Sequence, residues 1–194
     1  MNNAGQLVVT CLGEASSQNP ASIKQAEEKL KQWETERGFH TILLNIFTDH
    51  SLDVHIRWQA VLYFKNGVDR YWRKNAPNAI SEEEKAGLRA GLVKTISEPV
   101  NQIAVQLAVT VSKAARFDVP KDWPELLPSL SDAVQSKDDT VQHRGLLFLH
   151  HTIKALASKR LTADRRAFTE LTGQVSEHHG IVIVIAINNG DRNI

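Results

Sequence analysis

The sequence is poor in cysteine, with Cys11 as the single one among 194 residues. One cysteine cannot form an intramolecular disulfide, and it cannot supply a zinc site that needs several thiolates. The eight histidines do not replace it. His143 and His150 could share a helix face, but two ligands on one helix without a third donor make a poor site. We expect a reducing compartment and no metal.

The sequence also lacks an excess of charge and a long apolar run. Its 23 basic and 22 acidic residues give a formal net charge of +1, so bulk electrostatics favour neither nucleic acid nor an anionic membrane as a partner. No apolar stretch approaches the roughly 18 residues of a membrane span, and the first residues do not resemble a signal peptide. Because 42% of the residues are hydrophobic, a sizeable core is expected. We predict a soluble intracellular protein.

Signatures of catalysis and of cofactor binding are absent. The sequence contains no Walker A loop, no G-x-G-x-x-G, no H-E-x-x-H, no G-x-S-x-G and no C-x-x-C. We therefore expect no enzymatic activity and no cofactor.

What the sequence does contain is helical periodicity. Apolar residues recur at a spacing near 3.6 in segment after segment, separated by short polar or proline-containing joints. Taken in pairs, the second helices begin near residues 20, 53, 99 and 138, an interval of about 40 residues that is typical of HEAT or armadillo repeats. Gly38 is expected to end one helix in the left-handed conformation, and Ser81 with Glu84 to form a capping box. We predict an all-α, right-handed α-solenoid of about four HEAT-type helix pairs.

The last part of the sequence departs from this pattern. A partial helix is predicted over about residues 163 to 175, and a β-branched, strand-like run follows over residues 181 to 187. We expect residues 161–176 to hold the partial helix and residues 177–194 to be a divergent, unmatched C-terminal tail. Whether this tail folds or is disordered stays open at this point.

The segment IRWQAVLYFKNGVDRYWRK carries the densest pattern in the chain. Arg57, Lys65 and Arg73 are eight residues apart from one another, which suggests that they lie on roughly one side of the helix. With Arg70 and Lys74 they form either a solvated face or a patch for an acidic protein partner. The four tryptophans have helical spacing and apolar neighbours, so packing is favoured over a platform for stacking bases.

Three segments resemble the importin-β (karyopherin-β) family. AEEKLKQWE, at residues 26–34, is similar to the opening of the family's N-terminal domain, and DWPELLPSL, at residues 122–130, to a hallmark of its fourth repeat. The dense helix is similar to the family pattern R-x-x-A-x-x-x-x-K-N-x-I-x-x-x-W. Its matching residues are Arg57, Ala60, Lys65, Asn66, Val68 and Trp72. The resemblance covers about residues 5 to 166.

This resemblance implies the N-terminal part of a nuclear import receptor that moves between cytoplasm and nucleus. In the family, the concave face of the first repeats binds the GTP form of the small GTPase Ran, and import cargo binds farther along the full-length receptor. Residues 5–116 would be the importin N-terminal domain with repeats 1 to 3, and residues 117–160 repeat 4. Family members run to many hundreds of residues, so we expect a truncated chain that retains Ran recognition without carrying cargo.

Candidate contact residues follow from the motif on the fourth helix and from position alone on the sixth and eighth. Long basic side chains suit this role because they reach an acidic surface while their stems stay packed. The candidate Ran-binding residues are Arg57, Lys65, Asn66, Arg70, Gln102, Gln106, Arg144 and Lys154. An alternative stays open: a HEAT scaffold outside transport, or an inactive truncated isoform that binds another protein.

Overall fold

The computed structural model describes residues 3–158. Over this range the regular structure is helical, as predicted. The helices are α1 (Asn3–Ala15), α2 (Pro20–Trp33), α3 (Phe39–Thr48), α4 (Val54–Tyr71), α5 (Glu82–Lys94), a short 3-10 helix (Thr95–Ser97), α6 (Asn101–Asp118), α7 (Leu126–Val134) and α8 (Asp139–Ala157). The partial helix and the strand-like run predicted after residue 160 lie outside the described residues.

Local side-chain chemistry sets where several helices begin. The side chain of Asn19 accepts hydrogen bonds from the backbone N–H groups of the first turn of α2, which has proline at its start. Asp53 does the same for α4 and Asp138 for α8. Each acceptor satisfies a backbone donor that the helix itself leaves unpaired. Gly38 has a φ of 83°, the left-handed conformation predicted for it. The prediction that it ends the preceding helix is wrong, because α2 ends at Trp33 and Gly38 is the N-cap residue of α3.

The chain divides into two compact units, Met1–Leu92 and Val93–Ile194. In the first unit, α3 and α4 form an antiparallel hairpin: Arg57 near the start of α4 contacts Phe47 near the end of α3, and Tyr71 at the end of α4 contacts His40 at the start of α3. The core of this unit contains fully buried Leu12, Leu30, Leu43, Phe47 and Phe64. Each such side chain contributes about 1.5–3 kcal/mol to stability by its burial.

The second unit has the same kind of packing. α7 and α8 form an antiparallel hairpin, in which the Gln142 side chain donates to the backbone oxygen of Val134 over 3.0 Å. α6 and α8 run parallel. Arg144 in the first half of α8 bonds to Asn101 at the start of α6, and Arg116 in the last turn of α6 bonds to Ser158 just after α8, each over 2.7 Å. The core contains Leu107, Trp123, Leu126, Leu130 and Phe148. The helices predicted as second members of pairs begin at residues 20, 54, 101 and 139, within two residues of the predicted starts.

Two further predictions from the sequence can be compared with the structure: the packing of the tryptophans and the lack of a membrane span. Trp72 and Trp123 are buried, as expected of packing residues, whereas Trp33 and Trp58 are half-buried. Among the helices that the structure describes, none combines the length and the apolar character needed to cross a membrane.

Candidate partner-binding surface

In the first unit, helix α4 has one buried face and one exposed face. Its buried side includes Ala60, Phe64 and Val68. On the opposite side Asn66 and Arg70 are exposed, and Lys65 lies half-buried at the border between the two faces. Three of the four candidates on this helix are therefore accessible to a partner.

Arg57, the fourth candidate on α4, is placed differently from the prediction. Its side chain is only 2% exposed, and its Nε donates to the backbone oxygen of Phe47 over 2.8 Å. The predicted side shared by Arg57, Lys65 and Arg73 is wrong, because eight residues of α-helix advance by about 80° beyond two full turns. Moreover, α4 ends at Tyr71, before Arg73. Arg57 joins the two helices of its hairpin and is not presented to a partner.

Arg70 belongs to a cluster that links the ends of α2 and α4. Its Nη1 lies 2.8 Å from Glu34 Oε2 and 3.1 Å from Glu34 Oε1. The hydroxyl of Tyr71 donates to Glu34 Oε1 over 2.8 Å. Burial, and then this bond to Glu34, raise the pKa of Tyr71, so the phenol stays protonated and acts as a donor. Sequence reasoning did not select Glu34 or Tyr71, since a pairing across 36 residues has no local signal.

In the second unit, the candidates differ in accessibility. Gln102 is exposed on α6, Gln106 follows one turn later and is half-buried, and Lys154 is exposed on α8. Residues four apart lie on the same side of a helix, so the two glutamines are on one side of α6.

Arg144, the remaining candidate, is engaged within its own unit. Its Nε donates to the backbone oxygen of Glu98 over 2.9 Å and its Nη2 to that of Pro99 over 3.1 Å. Its Nη1 donates to Asn101 Oδ1 over 2.7 Å. The guanidinium therefore holds the turn that precedes α6. We interpret Arg144, like Arg57, as a structural residue.

No metal centre is found in the part of the chain that the structure describes: within residues 3–158, His, Cys, Asp and Glu side chains nowhere form a group of three or more that could hold an ion. The adjacent rings of His150 and His151 contact each other edge to face, with centroids 5.6 Å apart. His143 Nδ1 lies 2.7 Å from the backbone oxygen of Asp139 in the same helix.

Comparison with known proteins gives this surface its context. Residues 26–98 match the family described as the importin-beta N-terminal domain. The chain therefore carries an importin-β N-terminal domain. It is 55% identical over 175 residues to importin-11 of mouse and of human, covering 90% of this chain. The match to importin-11 covers more of the chain than residues 5 to 166, the range over which the sequence alone shows the resemblance. Over an alignment of 169 residues that covers 82% of this chain, it is 39% identical to the importin beta-like protein KAP120 of Saccharomyces cerevisiae.

Solved structures agree with this assignment. Lph2, a bidirectional nuclear transport receptor of S. cerevisiae, superposes with a TM-score of 0.69 at 39% identity over 74% of this chain and 15% of its own. The exportin Cse1 in its cargo-free, cytoplasmic state superposes with a TM-score of 0.76 over 98% of this chain and 21% of its own; at 22% identity it supports the fold alone. The predicted fold class, an all-α solenoid of HEAT-type helix pairs, is confirmed.

The lengths of these relatives bear on function. This chain spans 18% of the length of both importin-11 sequences and 16% of the length of KAP120. The matched region is thus less than a fifth of each of these relatives.

Proposed function

We propose that this chain is the N-terminal part of a nuclear import receptor and that it binds the GTP form of the small GTPase Ran without catalysing a reaction. The observation that carries the proposal is the 55% identity to importin-11 across 90% of the chain. The importin-β N-terminal domain at residues 26–98 supports it. We also propose that the protein acts in cytoplasm and nucleus, and that import cargo is bound only by a full-length receptor.

The contact residues that we propose are the accessible candidates. In the first unit they are Lys65, Asn66 and Arg70 on α4, and in the second unit Gln102, Gln106 and Lys154 on α6 and α8. Arg57 and Arg144 are left out because their guanidinium groups bond to backbone oxygens of their own unit. We also propose that residues 5–116 form the first three repeats and residues 117–160 the fourth.

Purified Ran, loaded either with GDP or with a non-hydrolysable GTP analogue, provides the test. The chain is titrated against both forms, and we expect measurable binding to the GTP form with a clear preference over the GDP form. Equal binding to both forms, or none to the GTP form, would contradict the proposal.

Charge reversal then tests the surface. Lys65→Glu should weaken binding, because rim charges on an interface govern association with a charged partner. Lys137→Glu makes the same change in charge at an exposed position before α8 and serves as the matched control. A scaffold that uses other surfaces would respond to neither variant. Arg57→Glu is unsuitable, since it would place a carboxylate inside the core.

A further inference from the structure

Glu34 stands out because its side chain faces the proposed site without being exposed itself. Its side chain is 17% exposed, whereas that of Arg70 is 55% exposed. Both carboxylate oxygens bond to the same guanidinium nitrogen, Nη1. More than half of the Arg70 side chain thus remains open to solvent while one end of the guanidinium is held.

Glu34 is in turn held from the interior of the first unit. Its backbone N–H donates to the Leu30 oxygen at the end of α2, and one carboxylate oxygen accepts from the Tyr71 hydroxyl. The Tyr71 ring contacts buried His40 edge to face, with centroids 6.1 Å apart. A continuous series of contacts therefore runs from the core through Tyr71 and Glu34 to the exposed Arg70.

An exposed arginine normally loses rotamer freedom when it binds, and holding it beforehand removes part of that cost. We propose that Glu34 and Tyr71 are positioning residues that hold Arg70 ready for an acidic side chain of the partner. This inference rests on the proposed function, with Ran in its GTP form as the partner. The opposite arrangement, in which Glu34 competes with the partner for Arg70, gives the opposite sign in the test.

Binding of the GTP form of Ran to Glu34→Gln is the central measurement. We expect affinity to fall by about threefold to tenfold, the range that corresponds to immobilising one long side chain. Glu36→Gln, which removes the same charge at an exposed position two residues on, is the control for long-range electrostatics. Tyr71→Phe keeps the ring but removes the hydroxyl, and should weaken binding in the same direction. Tighter or unchanged binding by Glu34→Gln relative to the control would overturn the inference.

A double-mutant cycle separates positioning from general structure. In an Arg70→Gln background, Glu34→Gln should have no further effect, because the residue on which Glu34 acts is gone. An undiminished effect there would assign Glu34 a structural role and contradict the inference. If Lys65→Glu weakens binding but Glu34→Gln does not, the proposed function stands and this inference fails.

A second readout does not depend on Ran. NMR relaxation of the Arg70 Nε–H group reports how well the side chain is ordered in the free chain. We expect high order in the native chain and in Glu36→Gln, and lower order in Glu34→Gln and Tyr71→Phe. Equal order in all four would overturn the inference whatever the outcome with Ran.

Discussion

The imidazole of His40 lies directly against the backbone of Gly67. His40, on α3, is 3% exposed, and Gly67 lies on the buried side of α4. A Cβ at residue 67 would approach Cδ2 of His40 to 2.7 Å and Nε2 still more closely. With the His40 ring in its present position, residue 67 therefore has no room for a side chain.

Gly67→Ala should accordingly destabilise the chain. Overpacking a well-filled core costs about 1–3 kcal/mol, and we expect a loss of free energy of unfolding in that range. Gly87→Ala is the control: it is also a glycine inside a helix, but its Cβ would meet nothing within 4 Å, so a gain of about 0.5–1 kcal/mol is expected. Urea denaturation measures both, and equal effects of the two changes would contradict the packing argument.

The sequence predicts features whose causes are local. Asn19 and Asp53 cap helices through residues two or three positions away, and apolar spacing sets the helix pairs. Contacts between distant segments carry no such signal. The buried state of Arg57 depends on a carbonyl of the preceding helix, and the charge of Arg70 is met by a carboxylate 36 residues earlier.

In the predicted capping box, Glu84 takes part in a local interaction and also in one with a distant segment. The Ser81 hydroxyl does accept a hydrogen bond from the Glu84 N–H over 3.2 Å. The Glu84 carboxylate, however, accepts from the N–H groups of Gly38 and Thr41 at the start of α3. Tertiary packing therefore redirected one half of a locally predicted motif.

His40 also predicts how stability depends on pH. Burial lowers its pKa from the ordinary 6.5, and the charges of Glu84 and Glu34 offset this only in part. The unfolded chain therefore binds a proton near pH 6.5 when the folded chain does not. The contribution of His40 to the free energy of unfolding is fully present above that pH and is lost as the pH falls through the lower folded pKa.

Urea titrations at pH values above and below 6.5 check this expectation. The native chain should lose stability on acidification, and His40→Gln should show a smaller loss because the titrating group is absent. His151, whose pKa burial also lowers, is the matched comparison through His151→Gln, with a smaller effect since it is only half-buried. A His40→Gln variant as pH-sensitive as the native chain would show that other groups are responsible.

Glu84 should stabilise the start of α3, although it lies more than 40 residues later in the sequence. Its carboxylate lies 3.0 Å from the Gly38 nitrogen and 3.2 Å from the Thr41 nitrogen, at a helix start where Gly38 has no side chain to cap it. We expect Glu84→Gln to reduce the free energy of unfolding by about 1 kcal/mol, as for the loss of a capping interaction. Glu83→Gln removes the same charge at an exposed neighbour and should stay within about 0.5 kcal/mol of the native chain. Equal losses in denaturant unfolding would assign the effect to net charge.

Gly145 tests whether a glycine contact against backbone is harder to relieve than one against a side chain. A Cβ at residue 145 in α8 would lie 2.8 Å from the Val134 nitrogen and 2.9 Å from the Ala133 carbonyl carbon and Cβ. Gly145→Ala should therefore lower the thermal midpoint, at a cost of about 1–3 kcal/mol. Gly13→Ala, whose Cβ would make an ordinary 3.5 Å contact, is the control and should not destabilise the chain, with a gain of up to about 1 kcal/mol. A second comparison removes the side chain that opposes each glycine. His40→Ala should relieve most of the stability loss caused by Gly67→Ala, when the double variant is compared with His40→Ala alone. Ala133→Gly should relieve little of the Gly145→Ala loss, because the backbone atoms of Ala133 and Val134 remain. Equal relief at both positions would mean that the end of α7 can move away as readily as a ring can turn.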